Sequence, residues 1–265
     1  MGPLYGTKTT WGAGEYALMA QALEPASARV VDAVDVSWGD RVIDVATGTG
    51  NAALLSAARG AHVLGIDTEP ALLALARGRV TASLDVRWIE GAAEALPVAD
   101  EHADVVVSVF GAMYAANHAA AARELVRVLA PGGRLALAAW TPGSVMPAMG
   151  GVTAPYLPPP PPASGPPSQW GDPEALQVLL KDAGATLQLT TVEHLTLRFD
   201  DAPAGADFLI RTAGHIVSYQ HTLRATGRWH QLRDELTAFV ADRGQQHADK
   251  LLLHLDYLIA VAGRT

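Results

Sequence analysis

Two carboxylates and a short run of glycines have the types and spacing of a nucleotide site. Asp44 sits in the apolar run 42–45, which leads into the turn Ala46-Thr47-Gly48-Thr49-Gly50. Asp67 closes a second apolar run, 62–66. Glycines in such a turn let backbone approach a ligand with no Cβ in the way, and free N–H groups at a helix start favour an anionic group. An acid ending the second strand is placed to accept hydrogen bonds from ribose hydroxyls. Gly48-x-Gly50-x-x-Ala53 fits the dinucleotide fingerprint, and Asp67 follows at roughly the 20-residue distance that fingerprint asks for. Alanine favours ordinary backbone angles, so the turn at Ala46 is expected not to be left-handed. The glycine pattern alone leaves the nucleotide open.

The elements that must position these groups follow from periodicity. Residues 51–59 read as a helix stopped by Gly60, and 15–34 as a helical cover interrupted near Pro25. Tyr5, Trp11 and Tyr16 are candidates for the pocket mouth. Thr68 is expected to cap a helix with Pro70 in its first turn, and 85–90 alternate as a short strand. Residues 104–110 read as a buried central strand, so Val109, Phe110, Gly111, Ala112, Met113 and Tyr114 fall at the ligand edge of an open parallel sheet. Asn117 can cap the next helix, which stops at Ala130-Pro131-Gly132-Gly133 before the strand 134–140. The fold class is α/β.

Three strings together carry a resemblance. Asp44-x-Ala46-x-Gly48-x-Gly50 resembles the acidic-x-Gly-x-Gly-x-Gly motif of class I S-adenosylmethionine (SAM) methyltransferases, in the ubiquinone/menaquinone-methyltransferase-like branch. Gly91-Ala92-Ala93-Glu94-Ala95-Leu96-Pro97 resembles the family's G-D-A-E-x-L-P segment, with Ala92 in place of the acid. ELVRVLAPGG, 124–133, resembles its E-L-x-R-V-L-x-P-G-G. A dinucleotide oxidoreductase would share only the first unit. The resemblance implies a Rossmann-like, seven-stranded sheet with helices on both faces and SAM as cofactor. By the same resemblance, Asp67 with Thr68 would hold the ribose. Asp44, Ala46, Thr47, Gly48, Gly50 and Asn51 would lie near the methionine part. Ala92, Ala93 and Glu94 would surround the adenine, with Val109 and Phe110 at the sheet edge. A SAM-binding protein of this fold that catalyses a non-methylating reaction, or serves as a binding partner, is the alternative.

Composition sets outer limits. The 265 residues carry a net charge of −8, with 49% hydrophobic and 17% charged residues. That is a globular chain large enough for a full core. Its acidic balance argues against a large nucleic-acid footprint, which needs clustered Lys and Arg. The sequence has no cysteine and no H-E-x-x-H-like spacing among its histidines, so no metal is expected. Without a signal-like start or a long apolar run, a cytoplasmic location and no membrane association are expected.

The domain reading is a helical cover at 1–40, a SAM-binding core at 41–140, a Pro-rich lid loop at 141–171, and the rest of the core at 172–265. The proline and glycine content of the lid is expected to exclude regular helix. A helical pair inserted at 203–247, between strands at 185–199 and 252–263, would form the substrate cap. Trp11, Met113, Tyr114, Trp140 and Tyr219 are the expected contacts of a small, partly apolar acceptor. Methyl transfer from a sulfonium needs a base only when the acceptor must lose a proton, and His118 and His215 are the candidates. His215 and Tyr219, four apart, would share a helix face.

Overall fold

The computed structural model describes residues 11–159 and 165–264. Its centre is β1 (Arg41–Val45), parallel to β2 (His62–Asp67) on one side and to β4 (Ala103–Val109) on the other. β3 (Val86–Glu90) extends the sheet beyond β2, and β5 (Leu129–Trp140) extends it beyond β4. The C-terminal strand β8 (Lys250–Arg264) pairs antiparallel with β5, and β6 (Ala185–Phe199) pairs antiparallel with β8. The order is β3-β2-β1-β4-β5-β8-β6, the expected seven strands, with a short eighth, β7 (Gln245–His247), added beside β8. The inner strands are nearly unbroken Val, Ile, Leu and Ala because helices cover them and both faces are dry.

Helices α2 (Asn51–Ala58), α3 (Pro70–Arg79), α4 (His118–Arg127) and α6 (Pro173–Asp182) connect the strands. Asn117 caps α4 as expected, its Oδ1 accepting from Ala120 N at 3.0 Å, and Asp172 Oδ1 caps α6. Thr68 does not cap α3. That helix starts after Glu69, whose N–H donates to Asp67 Oδ1 at 2.8 Å, so the strand-end carboxylate satisfies it.

The expected break at Pro25 is absent: α1 (Tyr16–Ala33) runs straight through it. Proline removes one helical bond, to the carbonyl of Gln21, but both residues face solvent, where water satisfies that carbonyl. The opposite face, with Leu23, Ala26, Val30 and Val31, is buried, and about 1.5–3 kcal/mol per large apolar side chain outweighs the lost bond.

The lid segment also departs from expectation. Val145–Thr153 forms a helix, α5, because Pro147 falls in its first turn, where no N–H is needed, and Val145, Met149 and Thr153 bury one face. The insertion contains three helices rather than a pair: α7 (Ala202–Thr212), α8 (Gly214–Ala225) and α9 (Trp229–Arg243). A break at Ala213, with φ −90° and ψ 95°, separates α7 from α8. Tyr5 and residues 160–164 of the proline run lie outside the described residues. Among the described residues, no helix is long and apolar enough to cross a membrane.

Candidate active site

The chain reverses its sheet order at β1, with β2 on one side and β4 on the other, and the strand ends there open into a cavity of ≈ 220 Å³. Ala46 and Gly48 line it from the end of β1, Asp67 and Thr68 from β2, and Phe110 and Gly111 from β4. Gly91, Ala93 and Glu94 close one side, Leu72 another, and Trp11, Tyr16, Tyr114 and Ala115 the mouth.

The turn after β1 is held by two buried carboxylates. Asp44 accepts from Thr47 Oγ1 at 2.5 Å and from Ala53 N at 3.0 Å, which ties the turn to the start of α2. Asp67 accepts from Gly48 N at 2.7 Å with one oxygen and from Glu69 N with the other. Burial pushes Asp44 up to about 7, against the hydrogen bonds that favour its charged form. Burial raises Asp67 as well.

Ala46 is left-handed, with φ 54°, against the expectation for an alanine. Phe110 has the same twist, φ 53°, so β1 and β4 are each followed at once by a strained non-glycine residue. Conformations of this kind cost on the order of 1 kcal/mol or more and persist where the surroundings over-determine them. Gly111 explains the close fit: a Cβ there would lie 2.4 Å from the Ala46 Cβ. Ser108 Oγ fixes the same corner by donating to Val45 O at 2.7 Å and accepting from Ala112 N at 2.9 Å.

The loop 91–97 is clamped from α4. Glu124 Oε2 accepts from Leu96 N at 2.7 Å, and Arg127 donates to Leu96 O and Val98 O while pairing with Glu124 and Asp100. The E-L-x-R string therefore works at a distance: it sets the loop that walls the cavity. Glu94 lines the cavity but commits one oxygen to Ala116 N at 2.6 Å. Ala92 does not line it; its carbonyl accepts from Ala95 N.

Asn51, Thr47 and Val109 face a separate crevice under α1, and Asn51 serves as a strut. Its Nδ2 donates to Ala20 O at 2.6 Å, and its Oδ1 accepts from Arg79. Gly50, with φ 85°, admits the Trp88 ring, which a Cβ would meet at 2.5 Å.

A second cavity of ≈ 520 Å³ lies beyond the mouth of the first. Met113 and Trp140 reach it from the sheet, Met146, Met149 and Gly150 from α5, and Leu209 and Thr212 from α7. Phe110 stacks on Trp140 at 3.8 Å, and Tyr257 packs edge-on against both. Tyr114 is exposed as a residue at the cavity mouth, but desolvation of its hydroxyl pushes that group up to about 12. Trp11, Tyr16 and Tyr114 line both cavities.

The two histidines separate. His215, in the first turn of α8, lines the apolar cavity, and burial lowers its pKa. A helix N-terminus opposes a cation in the same direction. His118 lines neither cavity; it is buried at the start of α4, edge-on to Trp170 at 5.8 Å. Tyr219 packs one turn along α8 from His215 without reaching the cavity. Among the described residues, no group of three or more His, Asp or Glu could hold a metal ion.

The sequence reading missed Leu72 and the α5 methionines. Met146 and Met149, three apart, would have shown one apolar helix face had the prolines not argued against helix.

Residues 43–137 match the family described as "Methyltransferase domain". An uncharacterized protein of Mycobacterium tuberculosis is 33% identical over 258 residues, 96% of this chain and 93% of that one. The demethylmenaquinone methyltransferase of Thermus thermophilus is 44% identical over 117 residues, 43% of this chain and 53% of that enzyme. Among solved structures, the YcgJ protein of Bacillus subtilis superimposes with a TM-score of 0.60 at 15% identity, covering 91% of this chain and 98% of that one.

Proposed function

Because the chain belongs to the S-adenosylmethionine-dependent methyltransferase family, we propose that it binds SAM in the smaller cavity and methylates a small, mainly apolar acceptor held in the larger one. The observation that carries this is the pair of cavities sharing one wall: one is framed by carboxylate and backbone, the other by methionine, tryptophan and leucine. The donor set suits an adenine nucleoside. Asp67 has both oxygens fixed by backbone N–H groups, and its remaining lone pairs are suited to accept from a ribose diol. Leu72, Ala93 and Phe110 offer apolar surface for a flat base. When bound, SAM supplies an electrophilic methyl on a sulfonium.

The rest of the work falls to the chain. Asp44 holds the turn that Gly48 presents, and the apolar lining of the larger cavity would desolvate the acceptor and orient its approach. His215 reaches the acceptor side as a neutral imidazole, which can accept a proton from an acceptor hydroxyl. His118, walled in by Trp170, has a packing role in this reading.

The test uses SAM carrying a labelled methyl and a panel of apolar phenols, amines and carboxylic acids. Label is expected in at least one acceptor, and His215→Gln should slow transfer to hydroxyl acceptors with SAM affinity kept. SAM binding without label transfer to any acceptor would favour a non-methylating use of the fold.

A further inference from the structure

The wall between the two cavities has a composition of its own. A methyl group passing from one cavity to the other must cross where they meet, and the residues lining both are Trp11, Tyr16 and Tyr114. Trp11 lies 5.9 Å from Tyr16, with the rings 76° apart, and 4.9 Å from Tyr114, with the rings 60° apart. An edge-on contact occupies the edge of one ring and one face of the other, so π faces stay available.

The rings are placed by fixed backbone rather than by chance packing. The single turn Trp11–Ala13 is tied to α3 through Gly12 N donating to Glu69 at 3.3 Å. It is tied to the cap through Glu15 N donating to Arg211 O at 2.8 Å, and it packs against α8. The Tyr16 ring lies 3.4 Å from where a Cβ of Gly48 would be, directly over the glycine turn. Tyr114 closes the single turn Ala112–Tyr114, its N–H donating to Gly111 O at 2.9 Å.

Resting on the cofactor reading above, we infer that Trp11, Tyr16 and Tyr114 form an aromatic cage for the sulfonium of SAM. The cage selects that cation over the neutral thioether of S-adenosylhomocysteine. A ring face attracts a cation through its quadrupole, and the attraction strengthens when water is kept out. The Asp67 carboxylate, which lines the smaller cavity together with these rings, adds to this. The charge disappears from sulfur once the methyl has moved, so the cage loosens its hold on the spent product. The cage acts on the bound ground state, so its loss should raise KM for SAM more than it lowers kcat.

The experiment is calorimetric titration of SAM, S-adenosylhomocysteine and sinefungin, which carries an ammonium in place of the sulfonium. The variants are Trp11→Leu, Tyr114→Leu and Tyr114→Phe in the full chain. The leucine variants should lose roughly 3- to 30-fold in affinity for SAM and sinefungin, while S-adenosylhomocysteine affinity changes little. Tyr114→Phe keeps the ring face and should restore the preference for the cations. The retained S-adenosylhomocysteine binding shows that the site still folds. A parallel loss of all three ligands, or an unchanged ratio, overturns the cage and leaves the cofactor reading standing. A wild-type protein that binds none of them overturns the cofactor reading itself.

Discussion

The two cavities are built by opposite means. Around the smaller one, backbone is held in costly shapes: Ala46 and Phe110 are left-handed, and Asp44 and Asp67 are buried without a cationic partner among their hydrogen bonds. Around the larger one, apolar side chains from α5, α7 and the sheet fill space, and the ion pairs of the cap lie at its surface, as between Arg233 and Asp207 at 2.7 Å. Rigid, strained backbone suits one fixed ligand shape. An apolar chamber lined by methionines can change its shape by single substitutions. The difference teaches that cofactor and acceptor specificity are separable in this chain.

The largest effect that would sharpen this comparison is one of pH. Asp44 holds its proton up to about 7 in the folded state, whereas an ordinary aspartate releases it near 3.8. The folded state therefore binds more protons than the unfolded chain between those values, and stability is lost as pH rises through that window. Urea unfolding of the ligand-free protein at pH 5 and pH 7.5 should show a loss on the order of a few kcal/mol. Asp44→Asn should flatten that slope; an equal slope in both proteins would show that the carboxylate is not buried at a cost.

Next in size is Asp67→Ala, which removes the acceptor for Gly48 N and the proposed ribose ligand. SAM affinity should fall by about 2–3 kcal/mol, on the order of 100-fold, and calorimetry reads it directly. Gly111→Ala should follow. Its Cβ would press on Ala46 Cβ at 2.4 Å and Ala46 O at 2.9 Å, at a cost of about 1–3 kcal/mol in unfolding experiments. The smallest effect is Gly150→Leu in α5. Gly150 lines the apolar cavity with nothing within 4 Å of a Cβ, so leucine enters the chamber. Stability should rise by up to about 1 kcal/mol from helix propensity, while transfer to bulky acceptors is lost.

The legibility of the sequence follows the same division. The core could be read because β1, β2 and β4 are short apolar runs with chemistry at their ends, and turn glycines and carboxylates keep fixed spacings there. The left-handed Ala46 could not be read, because its strain is imposed by Gly111 and Ser108, more than 60 residues later in the chain. Pro25 and Pro147 misled for a shared reason: proline breaks a helix only where its missing N–H and ring matter. An outward-facing position and a first turn are the two places where they do not. His118 and His215 are equivalent as residue types, and only packing against Trp170 or entry into the apolar cavity separates them.

The most direct test of separability is one calorimetric comparison of SAM binding to wild-type protein, Asp67→Ala and Gly150→Leu, with NADH as control ligand. The two-cavity account predicts equal SAM affinity for wild type and Gly150→Leu, a drop on the order of 100-fold for Asp67→Ala, and no NADH binding. Equal weakening by both substitutions, or NADH binding in place of SAM, would contradict it.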